Sequence, residues 1–135
     1  MGMYTELNIG VNLREDTPQN VIDILTHMLN DYHCEETPEL PKHPLFETGR
    51  WRFMLCSDSY YFDGHTDSSM LQDRISKEYE LNVRTNLKNY DGEIEKFMDF
   101  ICPYLKTYGF LGYTRYEEAD DPRLIYNDSG KIVYK

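Results

Sequence analysis

The sequence predicts an α+β fold, a two-layer sandwich in which an antiparallel sheet carries two helices on one face. Apolar and polar residues alternate through ELNIGVNL (6–13) and again through ELNVRTNL (80–87), which is the pattern of a strand with one buried face. A helical apolar stripe follows each octapeptide. Since 135 residues are enough for one sizeable core, we expect a single domain over residues 1–135.

The first strand should bury the odd-numbered positions from Leu7 to Leu13. A helix is expected to begin next, because Thr17 is a favourable N-cap residue and Pro18 suits the first helical position. Spacings of three and four residues define its core-facing side, which consists of Val21, Ile24, Leu25 and Met28.

The second octapeptide is followed by a similar helix signal, in which Asp91 precedes Gly92 and Glu93. Pro103 should end or kink this helix, because its ring clashes with the carbonyl four residues earlier. The core-facing stripe of this helix consists of Ile94, Phe97, Met98 and Ile101.

The segment between the first helix and the second octapeptide is less regular. Residues 33–49 are rich in proline and are predicted to form a long loop. Residues 51–62, WRFMLCSDSYYF, suggest two short strands around a Ser-Asp-Ser turn. Residues 69–78 fit a short helix, since Ser69 and Gln72 have capping-box spacing.

The C-terminal part predicts a strand at 109–116 and a hairpin at 124–134, where Asn-Asp-Ser-Gly separates two β-rich runs. This order of elements is that of a ferredoxin-like sandwich, in which the strands before the two helices are adjacent at the centre of the sheet. A duplicated β-α-β-β unit would explain the repeated octapeptide. Similar demands on two central strands would explain it equally well, and the two helix stripes differ in register by one residue.

The polar sides of the two octapeptides would form one patch on the sheet surface opposite the helices. Asparagine has a poor strand propensity, so four asparagines on one face indicate either plain solvent exposure or a surface that binds a partner. We take this patch as the candidate binding site, which consists of Glu6, Asn8, Asn12, Glu80, Asn82, Arg84 and Asn86.

The formal net charge is −10, from 24 acidic and 14 basic residues. Such a charge repels phosphate backbones and anionic lipid headgroups, so we expect neither nucleic acid nor a membrane among the partners. The sequence has no apolar run of about 18 residues and no basic segment leading into an apolar one. A cytoplasmic location is the resulting expectation.

Catalytic and metal-binding motifs are weak. Asp63, His65 and Asp67 alternate as metal ligands on a strand would, but the same residue types also build solvated turns. The sequence shows no nucleophile elbow, P-loop or dinucleotide fingerprint. We therefore expect no catalytic residues, metal or cofactor. A second loose ligand set lacks structural zinc spacing and comprises His27, His33, Cys34 and His43.

The segments NLKNYDGEIEKFMDFICPYL (86–105) and GFLGYTRYEEADDPRLIY (109–126) resemble small phage or prophage proteins of no characterised family. The resemblance implies a compact accessory protein, and acidic accessory proteins of phages often inhibit host or defence factors. The first hypothesis is therefore a non-enzymatic acidic binding protein of phage origin that inhibits such a factor. The alternative is a small enzyme or ligand-binding domain with a polar pocket on the open sheet face. Either protein could form a homodimer in which two open faces meet.

The charge generates a first prediction. The purified protein should not retain duplex DNA or RNA in a gel shift at about 150 mM salt, because each phosphate contact requires a cation and releases counterions. Binding at micromolar concentration would contradict this expectation.

Overall fold

A computed structural model of the chain describes residues 3–30 and 37–135. This part contains two α-helices and a six-stranded antiparallel sheet in the order β2-β3-β1-β4-β5-β6. The predicted α+β class is confirmed. In chain order the elements are β1 (Thr5–Leu13), α1 (Gln19–Leu29), β2 (Ser69–Gln72), β3 (Tyr79–Leu87), α2 (Glu93–Ile101), β4 (Gly109–Tyr116), β5 (Arg123–Asp128) and β6 (Lys131–Tyr134).

The two octapeptides pair with each other. β1 and β3 run antiparallel over nine residues, from Thr5 opposite Leu87 to Leu13 opposite Tyr79. The predicted adjacency of the two strands that precede the helices is therefore confirmed. Opposed residues in an antiparallel pair share a face, so the odd-numbered residues from Leu7 to Leu13 all point into the core.

Both helices pack on this apolar side of the sheet. The predicted stripes of α1 and α2 are buried, and they belong to the same hydrophobic cluster as the core-facing residues of β1 and β3. Ile24 and Phe97, for example, are fully buried. One cluster thus joins the helix layer to the sheet layer.

The start of α1 differs in detail from the prediction. The helix begins at Gln19 with Pro18 as its N-cap residue, and no side chain caps it. The Thr17 hydroxyl instead donates a 2.6 Å hydrogen bond to the carbonyl of Arg14. Thr17 therefore closes the turn after β1 and is not the helix cap.

The N-cap residue of α2 is Gly92, and a residue that the sequence pattern did not indicate supplies a side-chain acceptor to the first turn. Asn89 Oδ1, and not Asp91, accepts a 2.8 Å hydrogen bond from the backbone N–H of Ile94. The helix ends at Ile101 and continues as one 3₁₀ turn, Cys102–Tyr104. Pro103 therefore ends the α-helix as expected.

The prediction of two strands in residues 51–62 is wrong. Trp51–Phe53 forms a 3₁₀ turn, and turns and bends follow it. Phe62 at the end of the segment is buried, and so are Trp51, Met54 and Leu55 at its start. The spacing of three and four residues among those first three is helical and not that of a strand. Their aromatic and apolar composition suggested β structure, but their periodicity does not.

The prediction of a helix in residues 69–78 is also wrong, because Ser69–Gln72 is the edge strand β2. The following turn is held by Asp73, whose Oδ1 accepts 2.8 Å hydrogen bonds from the backbone N–H groups of Ile75 and Ser76. Asp side chains commonly bond nearby backbone in this way. The apparent capping box therefore lies in a hairpin.

The loop predicted at 33–49 falls partly outside the described residues. From residue 37 onward it is irregular, except for a 3₁₀ turn, Pro44–Glu47, that buries Leu45. The strand at 109–116 and the C-terminal hairpin are confirmed.

Gly112 allows β4 to approach β1 closely. Its φ is +153°, and a Cβ atom at this position would lie 2.0 Å from the carbonyl oxygen of Asn8. A side chain here meets rigid backbone and requires an unfavourable φ. The central sheet therefore needs glycine at this position.

The substitution Gly112→Ala should lower the free energy of unfolding by about 2–5 kcal/mol, from backbone strain and overpacking. Chemical denaturation measures this change. Gly49→Ala is the matched control, because no atom lies within 4 Å of its added Cβ. Equal effects of the two substitutions would show that the close approach is unimportant.

Candidate functional site

The sheet surface opposite the helices has two unlike ends. At one end, residues 57–68 cover the sheet, and Glu6 is only 2% exposed. Arg115 Nη2 lies 3.2 Å from Glu6 Oε1, and the Arg115 guanidinium lies over the ring of Phe62 at 5.0 Å. A buried carboxylate is costly without a cation, so Arg115 compensates the charge of Glu6.

Asn86 and Arg84 belong to the same covered end. Asn86 is 6% exposed, and its Nδ2 donates to Asp58 Oδ1 at 3.4 Å. Arg84 donates from Nη2 to the carbonyl of Asp63 at 3.1 Å. The expectation of one continuous exposed patch is therefore corrected: Glu6 and Asn86 are buried, and Arg84 anchors the covering segment.

The other end of the predicted patch is uncovered. Asn8 Nδ2 donates to the Tyr113 hydroxyl at 3.3 Å, and Asn12 Nδ2 donates to Glu78 Oε1 at 3.1 Å. Asn82 is exposed beside Gly10, its cross-strand partner. Two residues on this part of β3 are exposed. Glu80 presents a carboxylate to a partner, and Asn82 presents an amide.

Apolar and aromatic side chains extend this uncovered surface on both sides. Strand register places Tyr113 opposite Leu124 and Phe110 opposite Tyr126, while Leu71 lies opposite Glu80. Leu71 is 69% exposed and Phe110 is 54% exposed. We call the whole surface the open face; it consists of Asn8, Gly10, Asn12, Leu71, Glu80, Asn82, Phe110, Tyr113, Leu124 and Tyr126.

Sequence reasoning missed the aromatic part of the open face. A register shift lies between Phe110 and Gly112, so simple alternation along β4 does not put Phe110 and Tyr113 on the same side. The predicted hairpin at 124–134 was the available signal, because it brings Leu124 and Tyr126 to the edge of this surface.

The alternating Asp63, His65 and Asp67 do not form a metal site. In the described residues, no group of three His, Cys, Asp or Glu side chains is placed to hold a metal ion. The backbone of this segment instead contacts Arg84, whose carbonyl accepts a 2.9 Å hydrogen bond from the N–H of Asp67.

The other candidate ligands, His27, His33, Cys34 and His43, do not form a described cluster. His33 and Cys34 lie outside the described residues. His43 Nε2 lies 3.0 Å from Asp99 Oδ2, whereas His27 packs near Trp51, with ring centroids 6.0 Å apart. His27 and His43 therefore have different neighbours.

His27 is 4% exposed, and neither ring nitrogen has a hydrogen-bond partner among the described residues. Burial, and secondarily the positive charge of Arg52, lower the pKa of His27 below its ordinary value. The buried ring is thus favoured in its neutral form.

In comparisons with protein-family models, curated proteins and solved structures, the chain matches none of them. Among the described residues, no helix has the length and apolar character needed to cross a membrane. The geometry of the described residues therefore carries the functional argument.

His27 should make the protein less stable in acid. Because its folded-state pKa is lowered, its contribution is fully present above the unfolded-state value of about 6.5 and is lost as the pH falls below it. The substitution His27→Leu should reduce the drop in melting temperature between about pH 7 and about pH 5. The exposed His65 provides the control, His65→Leu; equal drops in both variants and the unmodified protein would contradict this role.

Proposed function

We propose that this protein is a non-enzymatic binding protein whose open face engages a protein partner. The observation that carries this proposal is a surface of exposed and half-buried amide, apolar and aromatic side chains; of the ten residues that define it, only Glu80 is charged. Two further charged groups contact it, since Lys135 lies over the ring of Tyr126 and Glu78 accepts a hydrogen bond from Asn12. The chain as a whole has a net charge of −10. Protein interfaces are enriched in aromatic residues and depleted of charge at their cores.

The chemistry of the open face suits protein recognition. Tyrosine offers a large rigid contact surface at low entropic cost, and asparagine and glycine adapt their hydrogen bonding to a partner. Tyr113, Tyr126 and Asn82 supply these groups. Leu71 and Phe110 would lose exposed apolar area on binding, which favours association.

The acidic charge outside the open face favours a basic partner. Complementary charge at the rim of an interface steers encounter and excludes wrong partners. A host or defence factor that carries a basic surface would fit this arrangement. The phage resemblance of residues 86–105 and 109–126 supports this more specific form of the proposal, in which binding inhibits the factor.

We further propose that the fold is a ferredoxin-like sandwich built from a duplicated β-α-β-β unit. The strand order β2-β3-β1-β4 supports this assignment, with β5 and β6 as an added hairpin. The antiparallel pairing of the octapeptides supports duplication, because it sets Glu6 opposite Asn86 and Asn12 opposite Glu80. The first residue of each copy thus faces the seventh residue of the other.

Charged substitutions on the open face test the binding function. Leu71→Asp and Phe110→Asp should each weaken partner binding at least about tenfold, since a carboxylate would be desolvated at the interface. Both side chains are largely exposed, so the melting temperature should change little. The partner is first identified by cross-linking and mass spectrometry, and its affinity is then measured by calorimetry.

The matched controls are Ile75→Asp and Tyr60→Asp, because Ile75 is 94% and Tyr60 104% exposed and neither belongs to the open face. Equal affinities of face and control variants would refute the proposal. Should sedimentation show a dimer that only the face variants dissociate, the occupant would be a second copy of this chain instead of another protein.

A further inference from the structure

A cleft of about 320 Å³ lies at the end of the β1–β3 pair. Its apolar wall is formed by Met54 and Leu87, which are 1% and 4% exposed. Tyr4, next to the start of β1, forms an aromatic wall, and Ser57 adds a hydroxyl group. The lining of this cleft is about evenly polar and apolar. Small-molecule sites combine apolar walls with a few well-placed polar groups, and the volume of this cleft is at the lower limit for such sites.

Two cations line the same cleft, Arg50 and Lys88. The Arg50 guanidinium lies 5.7 Å from the ring centre of Tyr90, and the Lys88 ammonium lies 5.8 Å from that of Tyr4. The ion pairs of the described residues include neither cation. An aromatic ring positions a cation without neutralising it, so both positive charges are available to a ligand.

The carboxylate of Glu117 lies close to the backbone of Tyr4. Glu117 Oε1 accepts a 2.7 Å hydrogen bond from the backbone N–H of Tyr4. Its hydrogen bond is to the backbone, and it forms no ion pair with Arg50 or Lys88 within 4 Å. The chain has 24 acidic and only 14 basic residues. Two cations without an ion pair in one cleft therefore distinguish this site from the rest of the acidic surface.

We propose that this cleft binds a small aromatic anion. Arg50 and Lys88 would bind its phosphate or carboxylate group by charge-assisted hydrogen bonds, and Tyr4, Met54 and Leu87 would contact its ring. The site does not include residues of the open face, so this inference is independent of the proposed partner binding.

Phenyl phosphate is the probe, because it combines a small ring with a dianion. Its binding is measured by calorimetry and by NMR shifts of the Met54 and Leu87 methyl groups. Inorganic phosphate tests the charge alone, phenol tests the ring alone, and benzoate distinguishes carboxylate from phosphate. Phenyl phosphate should bind at least about tenfold more tightly than inorganic phosphate or phenol, since only it uses both sets of contacts.

Variants then locate the site. Arg50→Gln and Lys88→Gln should each weaken phenyl phosphate binding about tenfold or more, through loss of a charge-assisted contact. The controls Arg52→Gln and Lys135→Gln should leave it unchanged. These two cations also lie over rings, those of Trp51 and Tyr126, at 5.3 and 5.0 Å, but do not line the cleft.

Three results would overturn the inference. One is the absence of phenyl phosphate binding at about 10 mM, since even a weak site should be detectable there. Another is equal binding of phenyl phosphate and inorganic phosphate. The third is an equal loss in cleft and control variants, which would indicate attraction to surface charge in general. Melting temperatures verify folding, and Arg50 and Lys88 provide two independent variants.

Discussion

The pairing of β1 with β3 is the constraint on which the rest of the structure depends. Side chains alternate between the two faces of a sheet, so a slip of one residue in this register would move Leu7 and Val11 out of the core. The nine-residue pairing fixes both the apolar surface beneath the helices and the polar surface opposite them. It also brings the start of β1 beside the end of β3, where the cationic cleft lies.

The pairing of β1 with β3 also places equivalent residues of the two octapeptides in different environments. The repeated octapeptide creates one Glu–Asn pair at each end of the two strands, Glu6 with Asn86 and Glu80 with Asn12. Residues 57–68 cover the first pair, so its carboxylate is buried and requires a cation. The second pair stays at the surface. The packing of residues 57–68 over the sheet, and not the local sequence of the strands, therefore distinguishes the buried end of this surface from the open face.

The sequence predicted the elements whose periodicity is long and regular, namely the two central strands and the stripes of both helices. It failed where composition and periodicity disagree: Trp51, Met54 and Leu55 look like strand residues but are spaced as on a helix. Four of the seven candidate residues, Asn8, Asn12, Glu80 and Asn82, lie on the open face as predicted. The burial of Glu6 could not be foreseen, because the covering segment is distant in sequence and Arg115 reaches Glu6 only through the pairing of β1 with β4.

Net charge and local charge act at different ranges in this molecule. The net charge of −10 acts on polyanions such as nucleic acids, which interact with a large part of the surface. A small anion in a cleft responds chiefly to groups within the screening length, which is about 8 Å at physiological ionic strength. Since Arg50 and Lys88 rest on aromatic rings and form no ion pair with a carboxylate, their local field persists. A net negative charge that repels nucleic acid is therefore physically compatible with a site for a small aromatic anion.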